Sequence, residues 1–77
     1  MYINHKVLKN MTIEFRNRDS EYIKQWPNWD GVIPMIGDTV VLHFGYDNET
    51  EEYYNVEGRE ISGTDSDKIV LYIEKLD

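Results

Sequence analysis

The side chains that could carry chemistry are scattered along this chain. Residues 47–52, Asp-Asn-Glu-Thr-Glu-Glu, concentrate carboxylates of the kind that hold calcium or magnesium. They lack the alternating D-x-D-x-D-G ligand order of a cation loop and read as a solvated hairpin tip. Asp65 and Asp67 make a D-x-D pair that arises easily by chance in so acidic a chain. His5 and His43 are the only imidazoles, and a zinc site would need further carboxylate ligands to complete it. No metal is expected. The sequence contains no cysteine, which excludes disulfides, thiolate metal sites, iron–sulfur clusters and cysteine nucleophiles. Neither G-x-S-x-G nor S-x-x-K occurs, Ser62 stands before a glycine as turn chemistry requires, and the glycines are too isolated to cradle a phosphate. The expectation is a chain that is not an enzyme and uses no cofactor.

The most informative residues are aromatic. Tyr22, Trp26 and Trp29 fall within a short tract beside Asp19, Glu21 and Asp30, and Tyr46, Tyr53 and Tyr54 flank the acidic hairpin. Two roles suit such a tract. Large rings plug the open end of a small barrel, and partly exposed Trp and Tyr dominate the energetics of protein interfaces. In the second role Tyr22, Trp26, Trp29, Asp30, Tyr46 and Tyr53 form a partner-binding surface whose acidic rim favours a basic or proline-rich segment.

These side chains need a scaffold. Seventy-seven residues make one domain, residues 1–77, with no room for a second core. Hydrophobic content of 40% and charged content of 30% suit a globular protein. The formal charge of -7 disfavours direct binding to a phosphate backbone, which uses clustered Lys and Arg. No apolar run is long enough to span a bilayer, and residues 1–11 lack a signal-peptide core, so the cytoplasm is the expected compartment and no membrane the expected partner.

Alternating polarity then places the elements. Met11, Ile13 and Phe15 share one face of a strand that Val7 and Leu8 could begin earlier. Residues 17–36, with Pro27, Gly31 and Pro34, read as a long connection holding at most one helical turn, capped by Asp19 or Ser20 and stopped at Pro27. Val32 and Ile33 suggest a short strand. Gly37-Asp38 is a turn, and residues 39–46 are the clearest strand, with Val40, Leu42 and Phe44 on one face. After the acidic hairpin, residues 53–62 return as a strand. The parity change between Val56 and Ile61 calls for a bulge near Gly58. Residues 62–67 form a tight connection, and residues 68–76 are the last strand, apolar on both faces and therefore central or closing.

The expected fold is all-β: a small antiparallel five-stranded barrel, closed so that no edge is exposed. The runs Pro34-x-x-Gly37-Asp38-x-Val40-x-Leu42 and Tyr54-x-Val56-x-x-Arg59-x-Ile61, followed by the last strand, resemble the pattern of small bacterial SH3-like β-barrel proteins. The resemblance spans Pro34 to Leu76. It implies an interaction module or a subunit of a larger assembly, binding a protein partner or a second copy of itself, and it carries over no catalytic residue. Two other readings differ in class. An acidic inhibitor that imitates nucleic acid, as phage and mobile elements encode, would need a more continuous row of carboxylates. A small ligand-binding barrel would need a cleft with convergent polar groups.

Overall fold

The computed structural model describes residues 11–61 and 68–76. The suggested early start of the first strand at Val7 and Leu8, His5, Asp65, Asp67 and the connection at residues 62–67 lie outside them. Five strands form: β1 (Met11–Arg16), β2 (Tyr22–Trp29), β3 (Thr39–Phe44), β4 (Thr50–Ile61) and β5 (Lys68–Lys75). They make one curled sheet in the order β2-β1-β5-β4-β3. The all-β architecture is an open half-barrel, compatible with an SH3-like barrel. No helix forms among the described residues, and none there is long and apolar enough to cross a membrane.

Expectations about strand pairing, about residues 17–36 and about closure are corrected. The sheet is mixed, because β1 and β5 pair in parallel from Thr12 opposite Lys68 to Arg16 opposite Tyr72. β5 is central, as its two apolar faces suggest: Ile69, Leu71 and Ile73 are buried on one side, while Val70 and Tyr72 are half-buried on the other.

The second correction is that residues 22–29 are a strand and contain no helical turn. Asn17 decides this. Its side-chain oxygen accepts the backbone N–H groups of Asp19 and Glu21, each at 2.9 Å, and Ser20 N–H closes a turn on the Asn17 carbonyl. Ser20 takes a positive φ of 65°, so the chain reverses within five residues and leaves as a hairpin strand against β1. Residues 32–33, likewise, are not a strand but part of the loop that leads to β3.

Thirdly, the barrel is open, since among the described residues β2 and β3 are the two edges of the sheet. Pro27 offers no N–H, Asn28 has a positive φ of 56°, and two register shifts interrupt the β1–β2 ladder. Such an edge cannot support a regular ladder on its far side.

The Gly37-Asp38 turn and the bulge near Gly58 are as expected, while the acidic hairpin loop is shorter than residues 47–52 because β4 begins at Thr50. Asp38 N–H bonds the Met35 carbonyl at 2.9 Å, with Gly37 at the third position of the turn and a φ of +99° that a side chain would strain. The β4–β5 register shifts between Val56 and Gly58. That bulge lets β4 serve both neighbours, pairing with β3 through its first half and with β5 through its second. The core lies on the concave face, where Ile13, Phe15, Val40, Leu42, Tyr54, Val56, Ile69, Leu71 and Ile73 are buried.

Candidate functional site

The aromatic tract divides. Ile13 of β1 stands opposite Trp26 of β2, so Trp26 turns to the core, and its ring meets Phe15 edge-on with centroids 4.7 Å apart. Trp29 lies 4.4 Å from Trp26 at a 30° tilt. The Trp29 indole N–H donates to the Val32 carbonyl at 3.0 Å, which ties the following loop to the pair. Gly31 permits that close passage, because a Cβ there would lie 2.8 Å from the Trp29 ring. Both tryptophans are half-buried, packed on the core with one flank left to solvent. Tyr22 and Asp30 are exposed near the two ends of β2. Tyr46 and Tyr53 belong to the β3–β4 hairpin at the opposite edge of the sheet, Tyr46 fully exposed in the loop and Tyr53 opposite Val41. Tyr54 points inward and is buried.

At that opposite edge β3 is bare on its outer side among the described residues. Its six residues pair with β4 in unbroken register, from Thr39 opposite Asn55 to Phe44 opposite Thr50. Val56 N–H bonds the Asp38 carbonyl at 2.9 Å, and hydrogen-bonded pairs alternate along an antiparallel ladder. Val40, Leu42 and Phe44 therefore direct their backbone groups to β4, while Thr39, Val41 and His43 direct theirs outward. β3 has no proline, bulge or lysine to blunt it.

Next to this edge the loop at residues 31–37 exposes Val32 (86%), Met35 (53%) and Ile36 (63%). Together, residues 31–46 contain one formally charged side chain, Asp38, in a chain that is 30% charged. Its carboxylate is engaged by the Met35 N–H at 2.8 Å. A bare edge and an exposed apolar loop thus form one nearly uncharged border.

Several ionisable groups elsewhere are paired in ways that serve the fold. Glu14 is buried on the convex face, where Lys68 Nζ approaches at 2.8 Å and Arg16 also donates to it. Its carboxyl is held below the usual value by the Lys68 hydrogen bond, against the effect of burial and with help from Arg16. A carboxyl held below its usual value is ionised at neutral pH. Tyr54 donates to Glu52 at 2.6 Å, and burial, then that bond, pushes the phenol up to about 12. Lys75 also reaches Glu52, at 3.3 Å. Glu57 and Glu74 share Arg18, and the hydrogen bond with Glu74 raises Glu57. These four carboxylates thus each have a cation beside them. Among the described residues no three His, Asp or Glu side chains converge as metal ligands would.

The bare edge at Val41 and the exposed Val32, Met35 and Ile36 are the features that alternation alone misses. Alternation says which side chains face the core but not which strand lacks a neighbour. The signal that was present is the scarcity of charge along residues 31–46. No protein-family model, characterised protein or solved structure matches this chain.

Proposed function

We propose that this protein is a non-catalytic interaction module, or a small subunit of an assembly, which binds a protein partner. Its binding surface is the bare β3 edge, bordered by Val32, Met35 and Ile36 on one side and by Tyr46 and Tyr53 on the other. The finer SH3-like reading of the half-barrel belongs to this proposal, because that fold commonly serves such roles.

The observation that carries the reading is the uncharged, regular free edge of β3. An unpaired strand edge presents donors and acceptors that an extended segment can satisfy, and main-chain bonds supply affinity in strand addition. The contrast with β2 supports it, since that edge is blunted by Pro27 and its register shifts. In a chain with a formal charge of -7, a border with so few charges is where a protein surface can approach with the least repulsion. Tyr22, Trp26, Trp29 and Asp30, on and beside the other edge strand, are a second, separate part of the proposed surface. The paired state of Glu14, Glu52, Glu57 and Glu74 weighs against a nucleic-acid-like row of carboxylates.

The test is affinity capture from the source lysate with wild type, Val41→Pro and a Trp26→Ala, Trp29→Ala double variant, each checked for folding by circular dichroism. Val41→Pro removes an outward N–H and leaves the β4 ladder its donors. A specific protein held by wild type and lost by Val41→Pro supports the edge. Retention by Val41→Pro with loss by the folded double variant moves the site to β2, and retention by both removes both surfaces.

A further inference from the structure

The free edge of β3 is self-complementary. From it we infer that the occupant of this edge is a second copy of the same chain, paired antiparallel about a two-fold axis through Val41. The inference rests on the reading of β3 as an interaction edge and names what sits there.

Antiparallel pairing joins outward-facing residues to outward-facing residues. With Val41 opposite Val41 of the second copy, Thr39 falls opposite His43 and His43 opposite Thr39. These are the three positions whose backbone groups point away from β4, so the register makes about six main-chain hydrogen bonds and disturbs none of the existing ladder. A two-fold interface of this kind closes on itself and leaves no further β3 edge to propagate.

The paired segment ends where the strand does, because Gly37 and Gly45, with φ of 99° and 96°, turn the chain at either end of Thr39–Phe44. The exposed Ile36 and Tyr46 flank that segment at its two ends. An axis through Val41 therefore brings the Ile36 end of each copy beside the Tyr46 end of the other.

Charge is also consistent across the axis. Residues 39–44 carry no carboxylate, so none meets another across the paired segment. Repulsion therefore comes only from the overall charge of -7 on each copy, which added salt screens. Association strengthens as ionic strength rises, the reverse of an interface held by ion pairs.

The experiment is sedimentation velocity and equilibrium on the full chain across a range of concentrations and salt, with wild type, Val41→Pro and Val41→Lys. Val41→Lys keeps the backbone intact and places two cations at the axis. The expected result is a reversible wild-type dimer, tightened by salt, with the dissociation constant raised at least tenfold in both variants at unchanged circular dichroism. A wild type that stays monomeric at every concentration overturns the inference, as does a dimer that Val41→Lys leaves intact. A monomeric wild type that still captures a partner, lost in Val41→Pro, would overturn self-pairing alone and leave the interaction-module reading standing.

Discussion

Lys24 of β2 holds its ammonium 5.2 Å from the centre of the Phe44 ring of β3. The contact spans the two edges of the sheet, where no backbone ladder joins them. Phe15 stands opposite Lys24, so the ammonium approaches the ring from the concave side. The lysine stem covers apolar surface that a closed barrel would bury against a paired strand. Replacing Lys24 by Met keeps that cover and removes the cation, so the expected loss is small, about 0.5–1 kcal/mol. Phe44→Ala removes a half-buried ring packed on the core and costs more, about 2–3 kcal/mol. Urea unfolding of the two variants measures the difference.

Trp26 stabilises the half-barrel by closing its β2 side over Phe15. Trp26→Ala opens that contact and the stack with Trp29 together. Because Trp26 is only half-buried, the expected cost is about 2–3 kcal/mol, towards the low end for a large aromatic. Trp26→Phe keeps an edge contact with Phe15 and loses less. Denaturant midpoints order the three proteins, and near-ultraviolet circular dichroism follows the stacked pair.

Acid weakens the parallel β1–β5 junction through Glu14. Its folded carboxyl titrates below the ordinary 4.5, so its stabilising effect is complete above that value and is lost as pH falls through the lower folded value. Glu14→Gln is therefore less stable than wild type at neutral pH by about 1–2 kcal/mol, since Lys68 and Arg16 can still reach water. The gap narrows as pH drops below 4.5. Thermal melts of both proteins across acidic pH give the comparison.

Alkali acts on Tyr54. The phenol is raised from 10 to about 12 in the folded chain, so its contribution is complete below 10 and disappears as pH climbs towards about 12. Tyr54→Phe loses the bond to Glu52, about 1 kcal/mol at neutral pH. It also shows a flatter stability profile above pH 10. The difference in tyrosinate absorbance between wild type and Tyr54→Phe, followed beside stability, ties the transition to this side chain among the six tyrosines.

Much of the fold was legible because the chain obeys period-two burial where a strand has one wet face. Ile13 and Phe15, Val40 and Leu42, and Tyr54 and Val56 stand at alternate positions, and each reads as the inward set of its strand. The bulge beside Gly58 was readable for the same reason, since Ile61 falls on the wrong parity without it. β2 was not readable. Pro27 and Asn28 break its alternation, and the decision between helical turn and hairpin rests on the Asn17 side chain, whose bonds to Asp19 and Glu21 are not a pattern of polarity. Parallel pairing of β1 with β5 follows from how five strands share one core, which local pattern does not encode. For the candidate surface, the aromatic residues stood out by type, yet Trp26 and Trp29 spend most of their area on the core. Val41 carried no compositional mark, because what distinguishes it is a missing neighbour.

Amide hydrogen exchange along β3 tests the central claim most directly, because it reads the edge residue by residue. At low protein concentration the account predicts fast exchange at Thr39, Val41 and His43 and slow exchange at Val40, Leu42 and Phe44, with the first three becoming protected as concentration or partner is added. Equal protection of all six at the lowest concentration, or fast exchange at the three outward amides that nothing slows, would contradict it.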